Sequence, residues 1–102
     1  MEDALNALVQ ALQRYQPQRI ILFGSAARGE ADADSDLDVL VIKETPEPFV
    51  QRLEAMAKLC PPGVHADILV YTPEEVQRMV EDGNPFILRA LEEGRVIYEA
   101  RS

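Results

Sequence analysis

Residues 20 to 42 leave this chain few folds to choose from: two short apolar runs with a glycine turn and an acidic loop between them. The first run, Ile20 to Phe23, is short and largely β-branched, which suits a buried strand. Gly24 and Ser25 follow at once, and the spacing predicts a helical turn from Ser25 to Arg28 that Gly29 stops. A strand that ends in Gly-Ser and enters such a turn presents backbone N–H groups at a helix N-terminus, a seat for phosphate. The second run opens on Asp36-Leu37-Asp38 and continues from Val39 to Ile42. In a strand, side chains i and i+2 share a face, so Asp36 and Asp38 point the same way, roughly 7 Å apart along the chain. Two carboxylates beside a phosphate seat make half a cage for a hard divalent cation, with substrate phosphates as the other half, which is how Mg²⁺ is usually held.

The remaining elements follow from periodicity and punctuation. Leu5, Leu8, Val9, Leu12 and Tyr15 form one helical stripe over residues 2 to 15, ended by Pro17. Thr45-Pro46 reads as the start of a second helix, with Thr45 as N-cap, Pro46 at the first helical position and Glu47 at the positive helix end. Phe49, Val50, Leu53, Met56, Ala57 and Cys60 form its expected buried face, and Pro61-Pro62-Gly63 ends it. Val64 to Tyr71 reads as a third strand, with His65, Asp67 and Leu69 on one face and Val64, Ala66, Ile68 and Val70 on the other. An aspartate is out of place by propensity in such a run, and a buried, unpaired carboxylate is costly. Asp67 therefore sits at an exposed edge, pairs with a cation, or ligates a metal. Thr72-Pro73-Glu74-Glu75 predicts a capping box opening a helix through Glu81, and Asn84-Pro85 opens another through Glu93. Arg95 to Tyr98 reads as a last short edge strand, open to pairing with a second copy. The whole predicts a single α/β domain over residues 1 to 102, a small mixed β-sheet packed with helices. The dozen residues between the first two strands are marginal for a parallel crossover, so those strands are expected to run antiparallel.

Gly24-Ser25-x-Ala27-Arg28-Gly29 followed by Ser35-Asp36-x-Asp38, with ten residues between Ser25 and Asp36, resembles the signature of the DNA polymerase beta nucleotidyltransferase superfamily. The chain's short length is similar to that of the minimal nucleotidyltransferase (MNT) branch. The resemblance implies the polymerase beta-like fold and transfer of a nucleoside monophosphate from a triphosphate, with attack on the α-phosphorus and loss of pyrophosphate. Two divalent ions about 4 Å apart clamp the attacking and leaving oxygens in such chemistry. By resemblance Asp36 and Asp38 are ligands shared by two Mg²⁺ ions, with Mn²⁺ as the alternative ion. Asp67 is the third carboxylate, a metal ligand and a base toward the acceptor hydroxyl. Gly24 and Ser25 hold the triphosphate, expected to be ATP. Arg28 approaches phosphate or pairs with an acidic neighbour. MNT proteins are commonly paired with HEPN-domain proteins, small all-α ribonuclease toxins. The resemblance therefore implies an antitoxin that adenylylates a HEPN partner.

Two other functions compete with that one. The domain could neutralise a HEPN partner by docking alone, although a binding module has no physical need for three carboxylates that repel one another. A small-molecule nucleotidyltransferase of the aminoglycoside type needs pocket walls that a chain this short supplies only as a dimer. Other motif readings fail. Asp32, Asp34, Asp36 and Asp38 imitate a calcium-binding EF-hand loop, but Leu37 and Lys43 stand where that loop needs Gly and Glu. The Gly24 turn lacks both the Gly-Lys-Ser/Thr of a P-loop and the three glycines of a dinucleotide fingerprint. His65 reads as a solvated or hydrogen-bonded residue, and Cys60 as a small hydrophobe at a helix end. A net charge of −8 with no Lys/Arg cluster argues against a polynucleotide substrate. With no signal-peptide pattern and no apolar run of membrane-spanning length, the expectation is a cytoplasmic protein with no membrane role.

Overall fold

The computed structural model describes residues 2–27, 29 and 36–100, without the side chains of Glu2, Ser25 and Ala26. In chain order the elements are α1 (Glu2–Leu12), β1 (Arg19–Phe23), α2 (Gly24–Ala27), β2 (Leu37–Ile42), α3 (Phe49–Leu59), β3 (Ala66–Tyr71), α4 (Pro73–Glu81), α5 (Pro85–Glu93) and β4 (Arg95–Glu99). A 3₁₀ turn, Gln13–Tyr15, finishes α1, and Gln16 then adopts the left-handed conformation ahead of Pro17. The strands form one sheet in the order β3-β2-β1-β4. β1 runs antiparallel to both β2 and β4, whereas β2 and β3 are parallel. The sheet is mixed, as the short link between the first two strands requires. β3 and β4 are its edges.

Strand alternation splits the core into two layers. Ile20 and Leu22 of β1, Leu37, Val39 and Val41 of β2, and Ile68 and Val70 of β3 face Leu8 and Leu12 of α1 and Met56 of α3. Ile21, Leu40 and Ile42 face Ile87 and Ala90 of α5, with Leu69, Tyr71, Val76 and Met79 packed around them. β2 is covered on both sides, which explains why its run from Val39 to Ile42 is apolar without alternation. Among the described residues no helix is long and apolar enough to cross a membrane.

The second long helix departs from the expectation at both its start and its face. Thr45 is not its N-cap. The helix begins at Phe49, after Pro48, with no side-chain cap. A residue that precedes proline is pushed out of the helical region, so Glu47 cannot belong to a helix when Pro48 follows it. Pro46 draws the eye, but Pro48 decides. Thr45 is buried and its hydroxyl accepts a bond from the Glu47 N–H at 3.2 Å. Glu47 accordingly does not serve a helix end, and its carbonyl accepts from Arg52 Nε at 2.8 Å. Val50 and Ala57 are exposed rather than buried, and Arg52 takes a place in the interior beside Met56. Cys60 stands at the helix end, where Sγ donates to the Val64 carbonyl at 3.3 Å and burial pushes the thiol pKa up, as an unreactive cysteine requires.

The capping box at α4 is present in full. Thr72 Oγ1 accepts from the Glu75 N–H, and the Glu75 carboxylate accepts from the Thr72 N–H. Asn84 caps α5 through bonds from the Phe86 and Ile87 N–H groups. Thr72→Ala is expected to lower stability by about 1 kcal/mol in a urea melt and to leave activity per folded molecule unchanged. A loss of activity in that folded variant would mean that the α4 cap belongs to the site.

Candidate active site

The parity of three strands builds the site. Across the sheet, Phe23 of β1 is paired with Asp38 of β2, and Asp38 with Asp67 of β3. Paired positions on neighbouring strands lie about 5 Å apart, with their side chains on one face. The three therefore form a row on the α4/α5 face, at the end of the sheet beyond Ile21, Leu40 and Leu69 of the next row, which lie in the core on that side. Asp36 lies just before β2 and is exposed. Asp38 is partly buried, and Asp67 is exposed on the β3 edge.

Electrostatics tie the carboxylates together. Desolvation pushes the Asp38 carboxyl above the usual carboxylate range, and the charges of Asp67 and Asp36 push it further. Among the described residues no Lys, Arg or His side chain forms an ion pair with Asp36, Asp38 or Asp67. Of the three readings left open for Asp67, the exposed edge is thus observed and pairing with a described cation is not.

Gly24 joins the carboxylates to the turn. It has φ +73°, a conformation that favours glycine, and a Cβ built on it would overlap the Asp38 carboxylate. The start of α2 and the head of β2 therefore touch through a position that only glycine fills without displacement. The first backbone N–H groups of a helical turn have no partner within the turn, so α2 offers donors beside the carboxylates. Ser25 lies in α2 by its backbone. Arg28, Asp32 and Asp34 lie outside the described residues.

The donor set suits a hard divalent cation: oxygen ligands, clustered negative charge and, among the described residues, no cation paired with them. Among the described residues no three acidic, histidine or cysteine side chains enclose an ion by themselves. The arrangement is an open half-sphere rather than a cage. Mg²⁺ is commonly held in this manner, through one or two carboxylates with substrate phosphates completing the shell. His65 is exposed just before β3, and its carbonyl accepts from the Leu37 N–H at 3.0 Å, a scaffolding role at the head of β2.

Sequence reasoning passed over the residues next to this row. A pocket of about 340 Å³ opens beside Gly24, lined by Phe23, Phe86, Arg89, Ala90 and Glu93. The last four recur at i, i+3, i+4 and i+7 along α5, a single helical face whose mixed aromatic and charged content was the available signal.

The mixed sheet with its helices is the polymerase beta-like nucleotidyltransferase fold. Residues 5–98 match the family model of the nucleotidyltransferase domain, and the chain belongs to that family. It is 34% identical over 100 residues to the putative protein adenylyltransferase of Methanocaldococcus jannaschii, covering 95% of this chain and 97% of that protein. Its fold is similar to the crystal structure of a putative nucleotidyltransferase from Sulfolobus solfataricus, with a TM-score of 0.57 and 15% identity, covering 94% of this chain and 86% of that one.

Proposed function

We propose that this domain transfers AMP from ATP to a hydroxyl on a protein acceptor, with Mg²⁺ as the working ion. The observation that carries the reading is the in-register pairing of Asp38 with Asp67 beside the Gly24 turn. The name of the Methanocaldococcus jannaschii relative supports a protein as acceptor. The resemblance to MNT proteins supports a HEPN-domain toxin as that protein and an antitoxin role for this chain.

The chain's own residues divide the work. Backbone N–H groups of Gly24 and Ser25 donate to the triphosphate. The acceptor oxygen attacks the α-phosphorus, an oxygen–phosphorus bond forms, and the bond to the β-phosphate oxygen breaks to release pyrophosphate. Asp67, exposed on the β3 edge, takes the acceptor's proton. Asp36 and Asp38 would hold the divalent ions next to the turn. Bound divalent ions supply charge stabilisation to the attacking and leaving oxygens.

The test is transfer of label from α-labelled ATP in a lysate of the source cells. The expected result is one labelled protein band with Mg²⁺ and none when a chelator is added. Repeating the assay with γ-labelled ATP separates AMP transfer from phosphorylation. A band that survives the chelator, or one labelled only from the γ-position, removes this reading.

A further inference from the structure

The outer edge of β3 borders the carboxylate row, and the chemistry above gives it no task. Two bonds fix the direction of its backbone groups. The Leu37 N–H donates to the His65 carbonyl and the Lys43 N–H to the Tyr71 carbonyl, each at 3.0 Å. In a parallel ladder, alternate residues turn both backbone groups toward one neighbour. Residues 65, 67, 69 and 71 therefore face β2, and Ala66, Ile68 and Val70 turn their N–H and C=O groups outward. A third bond agrees: the Val70 carbonyl accepts from Arg52 Nη1 at 3.2 Å, on the outer side. Among the described residues Ala66 and Ile68 have no such outer partner.

The two edges of the sheet differ. β4 is interrupted by a register shift opposite Ile20 and Ile21 and carries a charge at each end, Arg95 and Glu99. Bulges and charges are devices that keep an edge from pairing. β3 keeps unbroken register with β2 from Ala66 to Tyr71 and contains neither proline nor lysine. Its one charge, Asp67, belongs to the row. That charge deters a casual partner, so an occupant of this edge has to present a group that a carboxylate accepts.

We propose that an extended segment of the acceptor protein pairs with this edge as a fifth strand and places its hydroxyl residue opposite Asp67. The inference rests on the nucleotidyltransferase reading of the row. Phe23, Asp38 and Asp67 hold paired positions across three strands, and a residue paired with Asp67 is the next member of that row. It lies about 5 Å from Asp67, with its side chain on the same face. In either direction of pairing, the added backbone meets the outward groups of Ala66 and Ile68, which flank Asp67. The hydroxyl donates to the Asp67 carboxylate. Its proton passes there as its oxygen bonds to the α-phosphorus and pyrophosphate departs. The residues on either side of the hydroxyl turn to the opposite face, beside Ala66 and Ile68, where apolar side chains fit. The segment needs free backbone groups of its own, which a loop or a chain terminus has and a helix lacks. Backbone pairing supplies the affinity, and side chains at alternate positions supply the selection.

The protein labelled from α-labelled ATP in the lysate provides the probe, a short synthetic peptide centred on its labelled hydroxyl. Wild type is expected to transfer AMP to that peptide alone. Ala66→Pro removes one outward N–H and spares the β2 ladder, and proline is tolerated at the first residue of an edge strand. This variant is expected to label the peptide about tenfold more slowly, with wild-type affinity for ATP and Mg²⁺ by calorimetry. Amide exchange in wild type needs no variant and covers a misfolded Ala66→Pro. Saturating peptide, without nucleotide, is expected to slow exchange at Ala66 and Ile68 at least about tenfold, whereas Asp67 and Leu69 are protected with or without it. Three results each overturn strand docking and leave the transfer reading standing. They are a peptide that takes no AMP although the intact acceptor does, equal labelling by a folded Ala66→Pro, and exchange at Ala66 and Ile68 that the peptide leaves unchanged. If no protein in the lysate takes label, the transfer reading falls and strand docking falls with it.

Discussion

Asp38→Asn is expected to abolish AMP transfer and, in the presence of a chelator at neutral pH, to melt at a higher temperature than wild type. The first effect follows from removing a carboxylate at the centre of the row, where stabilisation of developing charge is worth several kcal/mol, or about three orders of magnitude in rate. The second follows from linkage. Burial and the charges of Asp67 and Asp36 raise the folded-state pKa of Asp38 above its ordinary 3.8. Between the ordinary value and the raised one, the folded state holds more protons than the unfolded state, so stability falls as pH rises through that window. Above the window wild type bears the whole cost of an ionised Asp38, and asparagine bears none. The difference in melting temperature should therefore shrink as pH drops below 3.8, where Asp38 is protonated in both states. Magnesium with ATP should reverse the order, stabilising wild type by mass action and the variant little. Equal stabilisation of the two proteins by magnesium and ATP would remove Asp38 from the site. A destabilised variant in chelator would show that the carboxylate is a structural group with a partner rather than one held at a cost.

That combination of burial and charge was legible in the sequence because Asp38 interrupts an apolar run, where a polar side chain needs a reason. Asp67 interrupts a second run in the same way. Strand parity then placed them on faces, but only the parallel pairing of β2 with β3 put the two faces together. No local pattern specifies that register. The Phe86, Arg89 and Glu93 pocket depended on long-range placement in the same way: α5 begins 62 residues after Phe23 and returns to the end of β1. Local punctuation failed where Thr45-Pro46 read as a helix start and the backbone restriction before Pro48 won. It succeeded at Thr72 and Asn84, where cap and helix lie within a few residues of each other. Arg52 was invisible for a different reason. An arginine in an amphipathic helix ordinarily marks the solvated face, and its partner lies 23 residues away.

Replacing that arginine is expected to give the largest loss of stability of any substitution discussed. The Arg52 side chain is 6% exposed. It donates to the Glu47 carbonyl at 2.8 Å, the Val70 carbonyl at 3.2 Å and both oxygens of the Glu75 carboxylate, at 2.7 and 3.3 Å. One side chain thus ties the segment before α3 to the end of β3 and to the first turn of α4. Arg52→Ala leaves two carbonyls and a carboxylate without their donor. Removing one partner of a buried pair costs about 3–5 kcal/mol, and the lower figure applies because Glu75 is 40% exposed and can hydrate. For a domain of this size about 3 kcal/mol lowers the melting temperature by roughly 12–24 °C. Arg78→Ala is the control. Its pair with Glu74 is exposed on both sides, so its loss should stay below about 1 kcal/mol. The pH dependence has the opposite sign to that of Asp38. The hydrogen bond from Arg52 is the main cause that holds the Glu75 pKa below its ordinary 4.5. The stability this contributes is present in full above 4.5 and is lost as pH falls through the lowered folded-state value. Wild type and Arg52→Ala should therefore converge in acid, measured as melting temperature against pH. Asp67 stands three residues from Val70 along β3, about 10 Å, so the folded fraction of Arg52→Ala should retain its transfer activity. Near-equal losses for Arg52→Ala and Arg78→Ala would show that the interior network contributes no more than a surface pair.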